Sequence, residues 1–95
     1  MGMKNKATGT HITSSGEVKE MIFSKKMVTL KEMQECVGGY IEFVWLKDNK
    51  ILVVNEDGKI QGLPDNPIAT QIIREQGISD HIVGNALLID LKYVD

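Results

Sequence analysis

The chain has 95 residues, 42% hydrophobic and 25% charged. That suffices for one domain with a modest core and leaves little room for an enclosed active site. Its 11 Lys and Arg against 13 Asp and Glu give a formal charge of −2, which argues against DNA or RNA as a partner, because phosphate neutralisation supplies most of such affinity. The single cysteine, Cys36, permits no internal disulfide and fits a reducing compartment. No apolar run reaches the roughly 20 residues of a membrane span, so a cytoplasmic protein with no membrane partner is expected.

Residues 1–9 are small and polar and are expected to form a mobile leader, followed by one domain over residues 10–95. Thr10 to Thr13, the turn signal Ser14-Ser15-Gly16 and the strand-like Glu17 to Phe23 predict a hairpin. Thr29 with Glu32 three residues on is a capping box, because hydroxyl and carboxylate can each satisfy the other residue's amide. Leu30, Met33 and Val37, with Cys36 beside them, follow at helical spacing, and Gly38-Gly39 ends that helix.

Tyr40 to Leu46 reads as a strand with Ile41, Phe43 and Trp45 on one face and Tyr40, Glu42, Val44 and Leu46 on the other. Two largely apolar faces predict a central strand. Ile51 to Val54 reads likewise. Glu56-Asp57-Gly58 is a turn, after which Lys59 to Leu63 is expected to pair back and complete a three-stranded meander over residues 40–63. Asn66-Pro67 starts a second helix, Asn as cap and Pro at the first helical position. Ile68, Ile72 and Ile73 form its buried stripe and Gly77 its end. A last strand is expected over Ile82 to Leu91, broken at Gly84-Asn85 into a bulge or two short pieces. The fold class is therefore α+β: a small antiparallel sheet of about five to six short strands with two helices.

Few residues carry chemistry. Cys36 lies near a helix C-terminus, whose partial negative charge raises a thiol's pKa, so a small core residue is expected rather than a nucleophile. Cys36, His11 and His81 are too scattered for a zinc site, which takes four ligands in close pairs. The acids Glu56 and Asp57 fit turn geometry better than a catalytic pair. No catalytic residue, metal or cofactor is expected. Trp45, with Ile41 and Phe43, belongs either to the core or to an exposed stacking platform. The remaining candidate is a ligand site where the second helix begins. Helix-start amides can hold an anion, and Pro64, Asn66 and Thr70, with Asn55 and Glu56 nearby, would line it. Against this, Asp65 is negative, and an ordinary capped helix start explains the same residues.

Several segments stand out together: Val37-Gly38-Gly39-Tyr40-Ile41-Glu42, Val53-Val54-Asn55-Glu56-Asp57-Gly58-Lys59, Gly62-Leu63-Pro64-Asp65-Asn66-Pro67-Ile68-Ala69-Thr70 and Ile82-Val83-Gly84-Asn85-Ala86-Leu87. Over about residues 16–90 the chain resembles a family of small domains of unknown function encoded by phages, plasmids and other mobile elements. The resemblance implies an accessory protein in the host cytoplasm, acting against a host defence. The first expectation is a non-enzymatic protein that sequesters a small nucleotide-like signal at a subunit interface. The alternative is a module that binds and inhibits a host or phage protein. A homo-oligomer is expected in either case, because a short chain builds a pocket more readily between copies than inside one.

Overall fold

Alternation along one strand sets the architecture. The structure, a computed structural model, describes residues 5–94. Strand β4 (Lys50–Asn55) is buried from Ile51 to Asn55. Its successive side chains must leave on opposite sides of the sheet. Ile51 and Val53 join one apolar cluster and Leu52 and Val54 another, so each face needs its own cover.

Helix α1 (Leu30–Val37) covers the first face through Met33, Cys36 and Val37, which pack with Ile51, Val53, Leu87 and Ile89. Helix α2 (Pro67–Glu75) covers the second through Ala69 and Ile73, against Ile12, Leu52, Val54 and Ala86. The single modest core anticipated above is thus two thin cores with the sheet between them. Burying each Ile, Leu or Val contributes about 1.5–3 kcal/mol, and the fully buried Ile51, Leu52 and Val53 place three such contributions in succession along β4.

Among the described residues the sheet has five strands in the order β2-β1-β5-β4-β3, all neighbours antiparallel, which establishes the α+β class. Besides β4 these are β1 (Thr8–Ile12), β2 (Val18–Ile22), β3 (Ile41–Trp45) and β5 (Ala86–Asp90). β1 and β2 form the expected hairpin. β1 begins at Thr8, inside the stretch expected as a leader, and Ala7 before it is fully buried. Gly9 serves packing here, because a Cβ on it would stand 2.5 Å from Ile89 Cγ2. Residues 1–4 of that stretch lie outside the described residues.

Both helices start as their sequences predict. Thr29 accepts from the Glu32 amide at 3.1 Å while Glu32 accepts from the Thr29 amide at 2.9 Å. Asn66 caps α2 with Pro67 at its first position. Leu30, at helical spacing with Met33 and Val37, is instead 55% exposed, on the rim of a groove it shares with Ile41 and Phe43 of the next strand.

Two expectations about the meander fail. Lys59 to Leu63 is not a strand: its amides bond locally, Gln61 to the Asp57 carbonyl and Leu63 to that of Gly58. With Ile60 88% exposed, the segment has no apolar face to place on a sheet. In consequence β3 is the outermost strand, not a central one, and β4 pairs on its other side with β5. The expected last strand does divide into two pieces, an isolated bridge from Val83 to Asp65 and then β5. Among the described residues no helix is long and apolar enough to cross a membrane.

Candidate functional site

The start of α2 is held by its own polar groups. Asn66 is fully buried. Its Oδ1 accepts from the Ala69 amide at 3.1 Å, and its Nδ2 donates to the carbonyls of Ile12 at 3.0 Å and Gly84 at 2.9 Å. Both amide protons are therefore used, and three separate pieces of chain are tied together. The Thr70 hydroxyl accepts from the Ile82 amide at 2.8 Å and lies 3.4 Å from the Ile82 carbonyl. Pro64 contributes its carbonyl to the Gly84 amide at 2.7 Å. Of the five residues proposed as a ligand site, these three are committed to joining α2 to the 82–84 segment.

Asn55 performs the corresponding task on the other face. Its Nδ2 donates to the Val37 carbonyl at 3.2 Å, one of the carbonyls that a helix C-terminus leaves without an internal partner. Its Oδ1 accepts from the Asp57 amide at 2.9 Å and shapes the following turn. Asn55 and Asn66 are the buried polar side chains among the described residues, and each locks one helix to the sheet. Glu56 is exposed and borders a polar groove of about 210 Å³ with Glu42, Lys59, Asp80 and His81. Lys59 and Asp80 meet there at 2.6 Å with both side chains half-exposed. That ion pair holds the Asp80 carboxyl below its usual range, as does the bond from the His81 amide. With Glu42, Glu56 and Asp80 against one paired lysine, the groove disfavours a phosphate.

His11 and Cys36, separated by 25 residues, come together without forming a nucleophile pair. His11 Nε2 lies 2.8 Å from the Cys36 carbonyl oxygen, so the ring donates to backbone. Burial raises the thiol above its ordinary pKa, and Glu32 and Glu35 raise it further. A thiol held protonated is a poor nucleophile.

The surface with unused bonding capacity is the edge of the sheet. Along β3 the Glu56 amide donates to Tyr40, and the Leu46 amide donates to Lys50. In an antiparallel ladder, bonded pairs alternate with unbonded ones. Glu42 and Val44 therefore bond inward to Val54 and Leu52, and the N–H and C=O groups of Ile41, Phe43 and Trp45 point outward. The same logic on β2, from the Thr13–Glu17 and Phe23–Ala7 bonds, leaves Val18, Glu20 and Ile22 pointing outward. Both edges carry apolar side chains: Val18 is 57%, Ile22 61% and Trp45 61% exposed. Trp45 thus resolves to the exposed alternative, its ring meeting Phe43 edge-on at 5.9 Å.

Beside β3 lies an apolar groove of about 490 Å³, lined by Met27, Leu30, Met33, Ile41, Phe43 and Val94 among others. Sequence reasoning missed this surface by placing β3 inside the sheet. A usable signal was Glu42: β4 and β5 keep charged side chains to their ends, whereas β3 carries one within it.

No curated protein and no solved structure is significantly similar to the chain. A family model described as a domain of unknown function (DUF3846) matches residues 10–93. That match spans all five strands but the first two residues of β1, both helices and the two buried asparagines that join them, and the chain belongs to this family.

Proposed function

We propose that the chain is a non-enzymatic protein-binding module that recruits partners by strand addition at its sheet edges. The observation that supports this best is that, among the described residues, the sheet ends on both sides in open strands bearing exposed apolar residues. Such edges form main-chain bonds with an extended segment, and alternate side chains set the choice of partner. Monomeric proteins blunt their edges with lysine, proline or bulges. β3 has no lysine, proline or bulge, its one charge is Glu42, and its register with β4 runs unbroken from Ile41 to Trp45; β2 carries Lys19 and Glu20 between the exposed Val18 and Ile22.

The resemblance to small proteins of phages and mobile elements supports a setting in the host cytoplasm. There the partner would be a host or phage protein, and binding would inhibit it. Sequestration of a nucleotide-like signal is the weaker reading. The residues that would hold the anion are committed to backbone bonds, and the polar groove beside Glu56 is lined by acids.

The test uses the full chain as bait in a lysate of phage-infected, defence-active cells, beside Ile22→Lys, which places a charge on the β2 edge. The expected outcome is a protein retained by the parent and lost with Ile22→Lys while the variant stays folded. Release by heat of a small nucleotide-like molecule, equally from both baits, would reject the proposal.

A further inference from the structure

We propose that β3 is the seam of a twofold homodimer, in which β3 of a second copy pairs antiparallel with it, Phe43 opposite Phe43. This rests on the reading of the sheet edges as the working surface, and it assigns one of them. The outward groups of Ile41, Phe43 and Trp45 allow three short twofold registers, centred on Glu42, Phe43 or Val44.

Charge and geometry separate them. Centring on Glu42 sets two carboxylates directly opposite, which is destabilising. Centring on Val44 moves Ile41 beyond the end of the opposing strand, opposite the turn residue Lys47. Centring on Phe43 pairs all three outward residues, Ile41 with Trp45 and Phe43 with itself, and sets Glu42 opposite the neutral Val44. The strand's one charge thus avoids its own copy.

The same register supplies an occupant for the apolar groove. Ile41, Phe43 and Trp45 share the face that α1 covers. Opposite Ile41, the indole of the second copy's Trp45 lies over the groove lined by Met27, Leu30 and Ile41, and the symmetry repeats this contact. An interface of ordinary size buries about 800 Å² per partner. That is roughly an eighth of the 5961 Å² of this chain.

The other edge does not self-pair this way. The register on β2 that joins all three outward residues, Val18, Glu20 and Ile22, puts Glu20 opposite Glu20. The second copy therefore takes β3, and β2 stays free for a foreign protein.

Light scattering on the eluting full chain at tens of micromolar should give twice the 10.6 kDa chain mass. Trp45→Lys should weaken the dimer about a hundredfold while its helical and strand signal persists. Single substitutions Glu42→Cys, Phe43→Cys and Val44→Cys, oxidised mildly, read the register without depending on Trp45. Opposed bonded residues lie about 5.5 Å apart, within disulfide reach. Phe43→Cys should therefore cross-link fastest. Faster cross-linking through position 42 or 44 would overturn the register. A monomer at every concentration, a series of species larger than dimer, or a dimer indifferent to Trp45→Lys would overturn the seam. A monomer that still lost its partner protein with Ile22→Lys would leave the strand-addition reading intact.

Discussion

Two asparagines show how much a single side chain carries here. Asn66 uses one acceptor and both donors, all buried. Asn66→Asp would retain the cap on Ala69 but lose both donated bonds, and it would face a carboxylate towards two carbonyl oxygens. Leaving buried polar groups unpaired costs about 1–3 kcal/mol each and more for a charge, so a loss of about 3–5 kcal/mol is expected in urea unfolding. A ligand-contact residue with no structural duty would leave that midpoint unchanged. Cys36 behaves as a core atom. Because burial raises its pKa from the ordinary 9.0, the thiol stays protonated at neutral pH, and alkylation of the folded protein should be slow until the pH passes 9.0. Cys36→Ala should cost about 1 kcal/mol of stability and leave partner capture unchanged. Rapid alkylation at pH 7, or loss of capture without loss of stability, would show that the thiol has a chemical role.

Among the elements, α1 offers the clearest pH dependence. Bonds from the Thr29 amide and hydroxyl and from Ser24 hold the Glu32 carboxyl below its ordinary 4.5. A depressed carboxylate stabilises the fold above its unfolded pKa, and that contribution is lost as the pH falls through the folded value. The melting temperature should therefore drop below about pH 4.5, and Glu32→Gln should flatten that part of the drop. An unchanged acid profile in Glu32→Gln would mean that the box contributes nothing. The ends of both helices were legible in the sequence because capping is local: Thr29 with Glu32, and Asn66 with Pro67, use neighbours in the chain. The place of β3 was not legible. Its apolar alternation reads the same whether a strand or solvent lies beyond it. What decides is whether Lys59 to Leu63 returns to the sheet, and one turn of local bonds settles that. The internal bonds of the candidate site were hidden for a related reason. Asn55, Asn66 and Thr70 look like spare polar groups until Val37, Ile12, Gly84 and Ile82 arrive from distant sequence to occupy them.

At the scale of the whole molecule, a thin sheet with a helix on each face spends its apolar residues on two shallow cores. The molecule measures 41 × 25 × 22 Å, and its sheet ends on β2 at one side and β3 at the other. The apolar faces of β3 and β4 are covered within one chain by α1 and α2. Under the proposal it is the open edge of β3 that takes the second copy. Amide exchange resolved by residue, over a dilution series of the full chain, tests this most directly. When the chain is dilute, the amides of Phe43 and Trp45 should exchange rapidly while those of Val44 and Leu46, bonded to β4, exchange slowly. At high concentration Phe43 and Trp45 should slow, with Glu20 and Ile22 on β2 remaining fast. Slow exchange at Phe43 and Trp45 in the dilute monomer would contradict the account, because another part of the same chain would then already cover β3.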